Sequence, residues 1–224
     1  MSINKENYNE IIQELKSKNV MLVAVSKTKS TRAIKELYDL GQRDFGENYV
    51  QEMVDKYHEL PKDIRWHFIG HLQTNKVKYL APFAHLIQSV DSWKLLKEIN
   101  KQSEKINHVS DVLLQIHISE EETKFGLDED ELHKILNIDS ITLEELKNVR
   151  IVGLMGMASF TENKERVRKE FHYLKTLFDQ YAKLQIATCQ FKILSMGMSN
   201  DYKLAIEEGS NWVRIGSLIF GERN

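Results

Sequence analysis

The residues with most to say about chemistry are one lysine at the end of an apolar run and two small-residue turns late in the chain. Lys27 directly follows Val20, Met21, Leu22, Val23, Ala24, Val25 and Ser26. Side chains alternate along a strand, so Lys27 shares a face with Val23 and Val25. An amine held there, desolvated or close to another cation, gives up its proton more readily and becomes a nucleophile able to condense with an aldehyde. Taken alone, a strand-end lysine reads more simply as a solvated loop residue.

The two turns change that balance. Ser195, Met196, Gly197, Met198, Ser199 and Asn200 follow one late apolar run, and Arg214, Ile215, Gly216 and Ser217 close another. Small residues let backbone N–H groups approach an anion, hydroxyls add donors, and a helix opening near Asn200 would add the positive end of its dipole. Either turn by itself reads as chain reversal and capping. Both together, across from an imine-forming amine, point to a phosphorylated aldehyde, and pyridoxal 5′-phosphate is the commonest such cofactor. Arg214, in phase with Trp212 and Gly216, reaches toward the same place. Facing a ring nitrogen it would disfavour protonation there and weaken the ring as an electron sink; its simpler reading is an ion pair with an acid.

Other candidates carry less. Glu47 and Asn48 could orient a ring hydroxyl, although capping the helix that follows is the better reading. His67 and His71 have the spacing of a metal pair only on a helix, and His67 reads as strand, so no metal site is expected. Glu120, Glu121 and Glu122 read as a solvated loop.

These residues need a scaffold that brings both ends of the chain together. Apolar runs recur at 20–26, 44–46, 66–69, 85–90, 112–118, 151–155, 191–195 and 212–215, with helical spacing between most of them. Thr31 is the expected N-cap before Ile34, Leu37 and Tyr38, with Gly41 as the stop; Asp91 or Ser92 caps a helix carrying Leu95, Leu96 and Ile99. Asn163 opens the longest helix, with Phe171, Leu174, Leu177 and Phe178 on its buried face. Eight β/α steps predict an α/β fold, a single (β/α)8 TIM barrel, with the functional face at the C-terminal ends of the strands and phosphate held after strands 7 and 8. A helix over 3–17, with Ile11, Ile12 and Leu15 as its apolar stripe, is expected to replace or supplement the short C-terminal end.

The 224 residues, 42% of them hydrophobic, suffice for one sizeable core, and with only Pro61 and Pro82 and no linker-like stretch the expectation is one domain over 1–224. A net charge of -2 favours neither nucleic acid nor an anionic membrane. The lone Cys189 suits a reducing compartment, and the absence of a signal core or long apolar run points to the cytoplasm. A monomer is the expected state.

Taken together, the motifs resemble the pyridoxal phosphate homeostasis protein family, whose barrel is related to the N-terminal domain of alanine racemase. The resemblance rests on Val25, Ser26, Lys27, Thr28 and Lys29; on Asp44, Phe45, Gly46, Glu47, Asn48, Tyr49, Val50, Gln51 and Glu52; and on His67 to Gly70 with Leu72, Gln73, Thr74, Asn75 and Lys76. It continues through Ser89 to Ser92, Lys124 to Gly126 and Gly153 to Met157. It is most specific at Leu194 to Ser199 with Asp201, and at Val213 to Gly216 with Ile219 to Gly221. The resemblance implies that Lys27 holds the cofactor as an internal aldimine and that the turns at Ser195, Met196, Gly197, Ser199, Gly216 and Ser217 hold the phosphate. It also implies that Arg214 lies near the ring nitrogen and Asn48 near the cofactor. Ser30, Gln88 and Asn211 depart from the common residues, away from those motifs. The implied role is a carrier that takes up pyridoxal phosphate, limits its free aldehyde and passes it to apo-enzymes, without catalytic residues. The alternative is an amino-acid racemase with Lys27 as one base. Alanine racemases take the second, a tyrosine, from an additional β domain, and this chain ends where that domain would begin; Tyr49 and Tyr202 are local candidates. A phosphosugar isomerase on the same barrel would carry no covalent cofactor.

Overall fold

A computed structural model describes residues 3–119, 121, 125–137, 146–183 and 189–221. Glu120, Glu122 and Lys124, singled out above, lie outside them. Eight parallel strands close into a barrel in chain order: β1 (Met21–Val25), β2 (Asp44–Glu47), β3 (Arg65–Phe68), β4 (Ala84–Val90), β5 (Ser110–Ile116), β6 (Val149–Gly156), β7 (Cys189–Ser195) and β8 (Trp212–Ile215). Every predicted run lies within a residue or two of its strand. The largest shifts, of two residues, are at the entries to β5, β6 and β7 and at the exit of β5; at the β5 and β6 entries the pairing continues through Ser110, Asp111 and Arg150, whose side chains are not apolar. β8 pairs with β1 through Met21–Trp212, Leu22–Val213, Val23–Arg214 and Ala24–Ile215, and this closes the sheet.

The helices are α1 (Lys5–Ser17), α2 (Thr31–Asp39), α3 (Val50–Glu59), α4 (Val77–Leu80), α5 (Trp93–Glu104), α6 (Glu129–Asn137), α7 (Lys164–Tyr181), α8 (Tyr202–Glu207) and α9 (Ser217–Phe220). Their ends follow local chemistry. The N-cap of α2 is Ser30 rather than Thr31: the Ser30 hydroxyl accepts from the Ala33 N–H at 3.3 Å, which draws Thr31 into the first turn. Ser92 caps α5 and Asn163 caps α7 in the same way. Gly41 stops α2 at φ +101°, donating back to Tyr38. α1 supplements the four-residue α9: the Asn4 N–H donates to the Ile219 carbonyl at 2.8 Å and the Asn7 amide to that of Leu218 at 3.1 Å. It buries Tyr8, Ile11 and Leu15, whereas Ile12 is only partly covered. Among the described residues no helix is long and apolar enough to cross a membrane.

Strand alternation divides the core in two. Phe45, Trp66, Phe68, Leu37 and Phe171 pack between the strands and the helices. Inside the barrel, Leu86, Leu113, Val152 and Met155 gather with Ile193 and Trp212. At the barrel floor Asp44 takes a bidentate bond from Arg65 (2.8 Å to Nε) and lies 3.0 Å from His67 Nε2. Burial alone would raise the Asp44 pKa, but the bonds from Arg65 and His67 outweigh it and hold the carboxyl at about 2.

A folded-state pKa below the unfolded one stabilises the fold above the unfolded value, and that stabilisation disappears as pH falls through the folded value. Asp44→Asn is therefore expected to lower the unfolding free energy by about 2 kcal/mol at neutral pH in urea titrations. The gap to wild type should narrow as pH falls from about 4 to about 2; a gap that stays constant over that range would show that the Asp44 carboxylate contributes nothing through its charge.

Candidate functional site

At the C-terminal ends of the strands lies a cavity of about 260 Å³ whose lining includes Lys27, Asn48, Ser199, Arg214, Gly216 and Ser217. Lys27 stands two residues beyond β1, in phase with Val23 and Val25. The β8 turn reaches it because Gly216 has no side chain: a Cβ there would meet the Val25 carbonyl oxygen at 3.2 Å and the Val25 Cβ at 3.3 Å. The Gly216 N–H donates to Ser199 Oγ at 3.2 Å, which ties the two turns into one cradle. The Met198 N–H is occupied by Asp201 Oδ1, but the N–H groups of Ser199, Asn200 and Ser217 have no protein acceptor among the described residues. α8 is only six residues long and begins at Tyr202, so the cradle depends on these amides and hydroxyls and not on a helix dipole as expected.

Ser195, Met196 and Gly197 stand one layer behind the cavity wall. Met196 packs into the strand–helix core. Gly197, at φ +95°, turns the chain against α8 so closely that a Cβ would sit 2.5 Å from the Ala205 Cβ. Ser195 supports Arg214, whose Nη1 donates to the Ser195 carbonyl (2.8 Å) and hydroxyl (2.7 Å), while Nη2 donates to the Gly156 carbonyl (2.9 Å). The guanidinium is 3% exposed and, among the described residues, has no carboxylate in salt-bridge contact. Burial pushes its pKa down to about 10, with Asp201 opposing. Two of its five N–H groups remain for a ligand.

Behind Arg214 runs a hydrogen-bonded relay through the barrel interior. The Ser195 hydroxyl donates to Gln88 Oε1 (2.7 Å), Gln88 Nε2 lies 3.3 Å from His67 Nδ1, and His67 Nε2 lies 3.0 Å from Asp44. Since Gln88 Nε2 can only donate, His67 Nδ1 accepts and Nε2 carries the proton, the neutral tautomer that its burial favours. Each donor thus points from Arg214 toward Asp44. Gln88, which from the motifs lies away from the site, in fact reaches Arg214 through a single hydroxyl. His71 takes a separate carboxylate, Asp91, at 2.9 Å and stacks on Phe125.

Asn48 contributes a buried side-chain oxygen that has no hydrogen-bond partner among the described residues. Its backbone is fixed by Gly70, where a Cβ would fall 2.2 Å from the Asn48 carbonyl oxygen. Neither Glu47 nor Asn48 caps α3, whose N-cap is Tyr49 with no side-chain bond. Glu47 faces away from the cavity into the strand–helix layer, where it pairs with Lys56. Sequence reasoning missed the turn after β6: Met157, Ala158, Ser159 and Phe160 also line the cavity. Glu170 holds that turn, accepting from the Ser159 N–H and hydroxyl at 2.6 Å each, and leaves Phe160 86% exposed. The run Gly153 to Met157 was the available signal. Of the charged lining residues, Lys27, Lys29 and Arg214 are cations and Asp201 is an anion, so the cavity favours an anionic ligand. A buried guanidinium with donors to spare, unpartnered amides in two joined turns, an orphaned carbonyl oxygen and a lysine amine suit a ligand with a phosphate, an acceptor atom and an aldehyde.

Comparison with known proteins gives four findings. Residues 4–224 match the family model described as alanine racemase, N-terminal domain. A protein of Aquifex aeolicus named pyridoxal phosphate homeostasis protein is 45% identical over 203 residues, covering 90% of this chain and 86% of that one. The structure of PipY from Synechococcus elongatus with PLP bound superposes with a TM-score of 0.83 at 34% identity, over 95% of this chain and 99% of that one. An alanine racemase from Bartonella henselae, at 18% identity and a TM-score of 0.71 over 97% of this chain and 59% of that one, shares the fold.

The relay can be tested at its middle. Gln88→Leu leaves the Ser195 hydroxyl proton without an acceptor and His67 Nδ1 without a donor, both buried, and is expected to cost about 2–4 kcal/mol in chemical denaturation. Gln88→His, which can accept from Ser195 and donate to His67, should cost less than about 1 kcal/mol; equal losses for the two variants would mean that packing at position 88, not the relay, sets the cost.

Proposed function

This chain belongs to the alanine racemase N-terminal-domain family, among the pyridoxal phosphate homeostasis proteins, and on that premise we propose that it binds pyridoxal 5′-phosphate and serves its intracellular homeostasis as a carrier. The observation that carries this reading is the buried Arg214 guanidinium, without a carboxylate partner among the described residues, in the same cavity as Lys27 and the joined turns. Lys27 supplies the amine for a condensation with the cofactor's aldehyde that forms one C=N bond and releases one water. The amides of Ser199, Asn200 and Ser217, with the Ser199 and Ser217 hydroxyls, hold the phosphate. Arg214 donates to the ring nitrogen and, being always charged, keeps a proton off it; Asn48 accepts from a donor on the ring or on the lysine nitrogen.

The carrier reading is preferred to a racemase because a racemase needs a second base across the ring from Lys27. No tyrosine lines the cavity among the described residues. The Tyr202 hydroxyl donates to Glu14 at 2.9 Å, and burial first, then that bond, push its pKa up to about 12. Tyr49 is exposed outside the lining. We further propose that the protein works as a cytoplasmic monomer, since a single chain supplies the lining, and that apo-enzymes receive the cofactor when an amine displaces Lys27.

The deciding experiment is the visible spectrum of the purified chain with added cofactor, before and after borohydride, with the labelled peptide located by mass spectrometry. Wild type should show a yellow band that reduction removes, with the adduct on Lys27. Lys27→Ala should lose both and transfer cofactor to an apo-enzyme at least about tenfold more slowly. Turnover or Cα deuterium exchange of an amino acid by the loaded protein would overturn the carrier reading in favour of a racemase.

A further inference from the structure

Outside the barrel wall, between β1, β2 and α3, lies a buried ionic cluster that the proposed function leaves without a role. Lys56 Nζ donates to Glu47 Oε1 at 2.7 Å, to Glu52 Oε1 at 2.7 Å and to the Ser26 carbonyl at 2.8 Å, so all three of its protons are placed. The Glu47 carboxylate, fully buried, also accepts from the Ser26 hydroxyl at 2.5 Å. Glu52 Oε1 accepts from the Thr28 N–H at 2.6 Å. None of the three charged residues lines the cavity.

The simpler reading is an ion pair that fastens α3 to the barrel. Two observations argue for more. Buried ion pairs often stabilise no better than apolar residues of the same volume, so stability alone does not account for this one. Its contacts, moreover, grip the chain at Ser26 and Thr28, the two neighbours of Lys27. Thr28 sits at φ +64°, a left-handed conformation that a β-branched residue adopts only when its surroundings impose it.

We infer that Glu47, Lys56 and Glu52 form a positioning device for Lys27, clamping the backbone on both sides of it so that its amine enters the cavity at a set angle. The inference rests on the reading of Lys27 as the covalent anchor. The clamp acts from the helix layer, and the cavity stays free for the ligand. Without the Glu52 bond Thr28 relaxes toward extended backbone and the direction of the neighbouring Lys27 side chain changes with it.

The test uses the full chain and separates binding from capture. Pyridoxine 5′-phosphate, which has the ring and phosphate but no aldehyde, reports on the cavity; borohydride trapping of pyridoxal 5′-phosphate on Lys27 reports on the amine. In Lys56→Met and Glu52→Ala the affinity for pyridoxine 5′-phosphate should stay within about threefold of wild type, while the rate of capture falls at least about tenfold. Glu52→Gln, whose amide oxygen can still accept from Thr28, should recover most of that rate. Capture at the wild-type rate in both disrupting variants, or parallel loss of affinity and capture, would overturn the inference. Should Lys56→Met fail to fold, Glu52→Ala against Glu52→Gln decides, since the Glu52 side chain is 24% exposed and its removal leaves the Lys56–Glu47 pair in place. A wild-type chain that binds pyridoxine 5′-phosphate but captures nothing on Lys27 overturns the anchor reading, and this inference with it.

Discussion

The ladder between β8 and β1 is the constraint on which the site depends. It places residues some 190 positions apart side by side, with Val23 opposite Arg214 and Ala24 opposite Ile215. The turn that begins at Gly216 then crosses the end of β1 beside Lys27, and the absence of a side chain at Gly216 lets it pass close to Val25 without crowding. An open sheet of the same strands would keep every local motif and lose the cavity, because the amine and the anion cradle would lie on opposite edges.

The barrel interior shows a division of labour. One half is filled with apolar side chains around Leu113 and Met155. The other half carries the polar relay from Asp44 to Arg214, in which almost every donor and acceptor is matched. Support also comes from outside the wall: Glu47, Lys56 and Glu52 hold the turn after β1, and Glu170 holds the turn after β6. In both cases a carboxylate on a helix bonds the backbone of a loop at the mouth. The loops are therefore shaped from behind, by groups that never meet a ligand.

Much of this was legible from residue order. Hydrophobic alternation located all eight strands, and the phase of Lys27 with Val23 and of Arg214 with Trp212 pointed both side chains at the mouth. Composition could not tell wall from backing: Ser195, Met196 and Gly197 belong to the motif but stand behind the cavity, because Ser195 points into the barrel beneath Arg214, strand parity turns Met196 outward and a left-handed φ turns the chain at Gly197 against α8. Nor could it show that Gln88 meets Ser195, a contact across the barrel between residues 107 positions apart. The lining from Met157 to Phe160 went unread for a similar reason, since it depends on how Glu170 folds one turn inward. Local pattern specifies which face a residue takes; which partner it meets there is a property of closure.

The relay between Asp44 and Arg214 has a polarity, and polarity has an electrical meaning. With the donors all aligned from Arg214 toward Asp44, the bond dipoles add in series, their positive ends toward the carboxylate at the floor and their negative ends toward the guanidinium at the mouth. The line they follow is shielded from water along its length, so little dielectric screening separates its ends. Charge at the floor is thus felt at the mouth as a field, without any atom having to travel.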